Sequence, residues 1–70
     1  MLKLSERLRE LRKERKLTQE STAKELEISL KSYCRYETGE REPTASTLVR
    51  MADFYDVTLD YLVGRSNDRP

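Results

Sequence analysis

Leu4, Leu8 and Leu11 fall at i, i+4 and i+7, a spacing that puts all three on one face of an α-helix. Glu6, Arg7, Arg9, Glu10, Arg12, Lys13 and Glu14 stand between and after them, and Glu6 meets Glu10 at the repelling i,i+4 distance. Packing, not ion pairing along its own surface, must hold this first helix. Thr18 is placed to cap a second helix, Gln19 to about Leu26, with Glu20 in its first turn. Ala23 and Leu26 mark its inner face, with Thr22 beside them. Ser29 caps a third helix, Leu30 to about Thr38, and Gly39 stops it. Only Glu27 and Ile28 separate the second helix from that cap, so the segment reads as helix, tight turn, helix. After the polar loop Glu40-Arg41-Glu42-Pro43, Thr44 caps a fourth helix over about Ala45 to Tyr55, with Leu48, Met51, Ala52 and Tyr55 inward. Asp56 and Val57 make a short turn. Thr58 caps a last helix to about Val63, and Gly64 closes it. The fold class is all-α: one compact five-helix domain over residues 1–64, with a polar tail, 65–70, predicted to fray.

Composition narrows the chemistry. The chain has 70 residues, 36% hydrophobic and 39% charged, enough for one small core built from local packing. Two Gly and two Pro are too few for a turn-rich sandwich or barrel. Cys34 is the lone cysteine and there is no His, so no internal disulfide and no metal site are expected. Cys34 reads as an inert, partly exposed thiol. Without His, a Gly-rich phosphate loop or a nucleophile beside a base, the chain does not read as an enzyme, and no cofactor is expected. The longest apolar run is Tyr61-Leu62-Val63, and no leader pattern opens the chain, so a soluble, cytoplasmic protein is expected. The net charge of +1 hides an asymmetry. Residues 1–35 hold ten Lys/Arg against six Asp/Glu, and residues 36–70 hold four against seven. The imbalance favours an acidic partner for the first half, although a solvated charged surface accounts for it equally well.

Residues 19–38 carry the sharpest pattern. Thr22, Ala23, Leu26, Ile28, Tyr33 and Tyr36 occupy the positions that two helices crossing at a steep angle must bury. Tyr33 and Tyr36 therefore read as core rather than as stacking platforms. The rest of the third helix offers Leu30, Lys31, Ser32, Cys34, Arg35 and Thr38 to the outside. A protruding helix with Lys and Arg on its free face suits a DNA major groove.

The run from Leu11 through Glu20 (Leu-Arg-Lys-Glu-Arg-Lys-Leu-Thr-Gln-Glu) opens a longer resemblance. It continues through Ala23-Lys24-Glu25-Leu26, Ile28-Ser29 and the stretch Arg35-Tyr36-Glu37-Thr38-Gly39-Glu40-Arg41-Glu42-Pro43. With Leu48, Ala52 and the segment 56–64, these residues resemble the phage-repressor type of helix-turn-helix protein: lambda-like repressors, Cro-type proteins and xenobiotic-response-element regulators. The likeness covers about residues 4–64. It implies sequence-specific binding of double-stranded operator DNA, with residues 30–38 as the recognition helix of a transcriptional regulator, most simply a repressor. By the same resemblance Leu30, Lys31, Ser32 and Arg35 face base edges, while Gln19, Ser29, Thr38 and Arg41 face phosphates. It also implies an ion pair between Arg12 and Glu37 that fixes the recognition helix against the first. Three positions depart from the family pattern. Glu27 stands where the tight turn commonly has Gly, Thr22 where Leu is usual, and Leu30 where the first reading position is often polar. Leu cannot hydrogen-bond a base, although it can touch a thymine methyl. The rival reading is a protein-binding role, as an antitoxin or a partner of another regulator, with DNA binding secondary.

One such domain covers few base pairs, so a homodimer on a two-fold site is expected, with recognition helices about 34 Å apart. Phe54 is the candidate centre of the dimer contact, surrounded by Leu59 and Tyr61. The alternative is that Phe54 packs inside its own monomer.

Overall fold

Each helix after the first begins on a hydroxyl that closes its first turn. Thr18, Ser29, Thr44 and Thr58 have extended backbones, and their side-chain oxygens accept from the amides of Ser21, Ser32, Thr47 and Tyr61. The computed structural model, which describes residues 3–69, thus places α1 at Leu4–Glu14, α2 at Gln19–Glu25, α3 at Leu30–Thr38, α4 at Ala45–Tyr55 and α5 at Leu59–Val63. Residues 1, 2 and 70, which the expected domain and tail include, lie outside the described residues. The five-helix, all-α reading holds, and the inner faces read from periodicity are buried, Leu48 alone among them only partly.

The helix exits share one device. Lys16, Glu27 and Asp56 adopt left-handed backbones with φ of 56°, 59° and 55°. The residue after each donates its amide to a carbonyl five residues back: Leu17 to Arg12, Ile28 to Ala23 and Val57 to Ala52, at 3.0–3.1 Å. Gly64 ends α5 the same way, and Gly39 ends α3 in the same left-handed region. The spacing marks Glu27 for this conformation but not Lys16 or Asp56. In each case the following apolar residue turns inward. Ile28 and Val57 pack against the core, and Leu17 is half-buried.

Carbonyls left open at helix C-termini are taken up by arginines from elsewhere in the chain. Arg7 reaches Tyr61 at the end of α5 (2.6 Å), Arg50 reaches Leu26 after α2 (2.9 Å), and Arg9 reaches Glu37 on α3. Arg15 reaches both Phe54 and Tyr55 on α4, at 2.8 and 2.6 Å. A cation at the negative end of a helix dipole is favourable, so each contact satisfies an acceptor and a charge together. Part of the basic surplus of the first half, Arg7, Arg9 and Arg15, is therefore taken up by internal carbonyls.

Helix α1 lies against α3 and α5, α2 against α3, and α4 against α5. Leu4, Leu8, Leu11, Ala23, Leu26, Tyr33, Tyr36, Met51, Ala52, Tyr55, Tyr61 and Leu62 form the core. One expectation needs correcting, and two other features gain partners that the sequence does not show. Tyr61, expected at a dimer surface, is 6% exposed, with the Arg7 guanidinium stacked 3.9 Å above its ring. Thr22, which stands where the family usually has Leu, is fully buried, and its hydroxyl donates to the Thr18 carbonyl at 2.9 Å. The tail, expected to fray, has side-chain partners at Ser66, Asn67 and Arg69. Arg7 donates to the Ser66 carbonyl and to Asn67 Oδ1, and Arg69 pairs with Glu14 at 2.6 Å and reaches the Tyr61 hydroxyl. A polar tail docks here because a buried arginine needs acceptors that the helices alone do not supply.

A side chain held left-handed costs about 1–2 kcal/mol, while glycine loses about 0.5–1 kcal/mol more chain entropy on folding. Glu27→Gly and Lys16→Gly should each stabilise the domain by about 0.5–1 kcal/mol, and Asp56→Gly by less, because Asp tolerates this region better. Urea denaturation midpoints check this; a lower midpoint for Glu27→Gly would refute the strain argument.

Candidate nucleic-acid interface

Helix α3 has two faces set by its sequence. Tyr33, Tyr36 and Glu37 are buried, at 0%, 7% and 2% exposure, whereas Lys31, Arg35 and Thr38 lie on the opposite side and are exposed. Leu30, at the start of the helix, is 43% exposed. Nine residues at 1.5 Å rise make a rod about 13 Å long, and its free face projects because α1 and α2 both pack behind it.

The buried face is organised by Glu37. Arg12 grips its carboxylate with two nitrogens, Nε to Oε2 at 2.7 Å and a terminal nitrogen to Oε1 at 3.2 Å. Gln19 Nε2 donates to Oε1 at 3.0 Å. The other terminal nitrogen of Arg12 donates to the Leu17 carbonyl at 2.9 Å. Tyr33 shares a hydroxyl–hydroxyl hydrogen bond of 2.9 Å with Tyr55 on α4. Burial alone would push the Glu37 carboxyl up, but hydrogen bonds from Arg12, Tyr33 and Gln19 outweigh it and hold the group below the ordinary glutamate range. The same pair raises Arg12, through its hydrogen bond to Glu37, against the cost of partial burial. Burial is the main cause that raises both Tyr33 and Tyr55, so both phenols stay protonated.

The structure sorts the expected DNA-facing residues into two groups. Leu30, Lys31, Arg35 and Arg41 are exposed. The others already have internal partners. Gln19 turns inward, its amide between Glu37 and the Cys34 thiol, which donates to Oε1 at 3.3 Å. Ser29 Oγ caps α3 and donates to the Ser32 hydroxyl at 2.9 Å. Thr38 donates to the Arg35 carbonyl at 3.1 Å. Of the expected dimer residues, Leu59 is 43% exposed, while Phe54 is half-buried and meets Tyr55 edge-on at 4.9 Å. Sequence reading missed the structural use of Arg7. The signal was present, because Arg7 sits three residues after Leu4 and four before Leu11, on the buried stripe.

The geometry is that of a helix-turn-helix: α2, a tight left-handed turn at Glu27, and an α3 that presents a basic free face. The helix-turn-helix family profile matches residues 8–62, and the chain belongs to that family. It is 46% identical over 66 residues to the uncharacterised HTH-type transcriptional regulator YqaE of Bacillus subtilis, an alignment covering 93% of this chain and 57% of that protein. It is 45% identical over 64 residues to the cryptic phage CTXphi transcriptional repressor RstR of Vibrio cholerae, with 91% and 57% covered. Among solved structures, a transcriptional regulator from Listeria innocua aligns with a TM-score of 0.84 at 29% identity, over 93% of this chain and 61% of its own. The chain thus spans little more than half the length of the curated relatives it matches.

Removing the Glu37 charge leaves Arg12, which is 15% exposed, without its partner. Glu37→Gln should cost about 3 kcal/mol at neutral pH, the lower part of the range for a broken buried pair. Because the folded carboxyl titrates below its unfolded value, its contribution is present above the ordinary glutamate range. That contribution is lost as pH falls through the depressed value. Wild-type stability should therefore fall more steeply on acidification than that of Glu37→Gln. Parallel urea curves across that acid range would show the difference, and identical slopes would contradict it.

Proposed function

We propose that this domain binds double-stranded DNA as part of a transcriptional regulator, with α3 entering the major groove. The observation that carries this reading is the free face of α3. Lys31 and Arg35 stand one helical turn apart, exposed, on the side opposite Tyr33 and Glu37. A major groove about 12 Å wide admits such a helix, and Lys and Arg suit the O6 and N7 acceptors of guanine. The relatives named as transcriptional regulators and as a phage repressor support a repressor role, and with it a bacterial cytoplasmic setting.

The internal partners of Gln19 and Ser29 shift the expected phosphate contacts from side chains to backbone. The starts of α2 and α3 present amides that need acceptors, and a phosphate oxygen supplies one. Arg41, in the loop after α3, supplies a side-chain contact. Arg35→Ala should weaken binding to the preferred duplex about tenfold to a hundredfold, and should relax base preference at one position. Selection from a randomised duplex pool with both proteins reads this directly. An unchanged preference would remove Arg35 from the readout.

The unit on DNA is a homodimer on a rough palindrome. With Tyr61 buried, its contact rests on Leu59 and the outer edge of Phe54. That surface is small, so the dimer should be weak off DNA. Sedimentation equilibrium should show mostly monomer alone and two copies per selected duplex. Leu59→Ala, at an exposed position, should lower the occupancy of the second copy. One copy protecting a single half-site would defeat the dimer.

A further inference from the structure

We infer that Leu30 reads the 5-methyl group of a thymine, so that an apolar contact rather than a hydrogen bond sets base choice at the entering end of α3. The inference rests on the reading of α3 as the major-groove helix.

Leu30 opens α3 and is 43% exposed; among the described residues only Val49 and Leu59 are large apolar side chains exposed to a similar degree. Those two sit on α4 and α5. Leu30 takes no part in the core cluster, so folding does not account for an aliphatic side chain facing water there. Three of its polar neighbours have internal partners. The hydroxyls of Ser29 and Ser32 are hydrogen-bonded to each other, and both ends of the Gln19 amide are engaged, by Glu37 and by Cys34. The exposed side chains at this end are therefore Leu30 and Lys31, and Leu30 is the one that opens the helix.

The major-groove edge of DNA offers one apolar group, the C5-methyl of thymine. Against it, Leu30 buries hydrocarbon on both sides. Against the amino, keto or ring-nitrogen groups of the other bases, it would strip water from a polar atom and return no hydrogen bond. Arg35 lies about 7.5 Å further along the helix, roughly two base-pair steps. A half-site read by α3 should thus hold a thymine within a few base pairs of a guanine.

The probe is a duplex enriched from a randomised pool by the wild-type chain. Thymines of the enriched half-site are replaced one at a time by deoxyuridine, which removes only the methyl group. One position per half-site should show wild-type binding weakened about fourfold, the worth of one buried methyl group. The same replacement should leave Leu30→Ala unaffected, and Leu30→Gln provides a second variant for the comparison. Both should keep the wild-type melting curve, because Leu30 lies outside the core. An equal uridine penalty in all three proteins, or none in the wild type, would overturn the inference and leave the DNA reading intact. A pool that yields no enriched sequence would overturn the DNA reading, and this inference with it.

Discussion

The carboxylate of Glu37 is the point on which the arrangement turns. It sits 2% exposed near the end of α3, where an unpaired charge would cost several kcal/mol. Its partners come from separate parts of the chain: Arg12 from α1 and Gln19 from the start of α2. Arg12 also binds the Leu17 carbonyl and so anchors the connection between those helices. Tyr33, one turn back on α3, continues the network to Tyr55 on α4. Three helices therefore meet at one buried anion, and the Tyr33–Tyr55 bond ties α3 to a fourth. Such a network specifies an arrangement more than it stabilises one, because the desolvation it needs offsets much of what its hydrogen bonds return. For a helix that must project at a defined angle, specification is the useful property.

The same economy governs the arginines. In a chain this short, helix ends make up a large share of the backbone, and each leaves carbonyls to satisfy. Left-handed turns close some of them. Arg7, Arg9, Arg15 and Arg50 reach others across the fold, each from outside the helix it caps. The first half of the chain carries a positive surplus, and four of its five arginines bond other parts of the chain. Lys31 and Arg35 differ because α1 and α2 pack behind α3 and leave its outer face uncovered. The distinction between structural and available cations follows from packing and cannot be read from a charge count.

Much of this was legible in the residues. The four hydroxyl caps, the helix limits they set, and the inner faces of α1, α3 and α4 follow from interactions reaching no further than one turn. The left-handed backbone at Glu27 follows from the tight spacing of two helices. Other features were not legible. Gln19 stands at a helix start and reads as a residue turned outward, yet its amide is taken by a carboxylate eighteen residues away. Tyr61 reads as available apolar surface, yet the guanidinium of Arg7 covers its ring. The tail reads as solvent-facing, yet Ser66 and Asn67 supply the acceptors that buried Arg7 requires.

By itself, then, the sequence determined where α2 to α5 begin, which stripes α1, α3 and α4 bury and that α3 carries a basic outer face. Caps and periodicity act between neighbours, and their chemistry is written in side-chain identity. Only the tertiary structure decided which arginines are internal, where Gln19 and Tyr61 point, and that residues 65–69 pack against α1. Those partnerships end largely on backbone carbonyls far along the chain. A carbonyl is the same at every residue, so nothing in the sequence marks which one a distant guanidinium will find until the helices have packed.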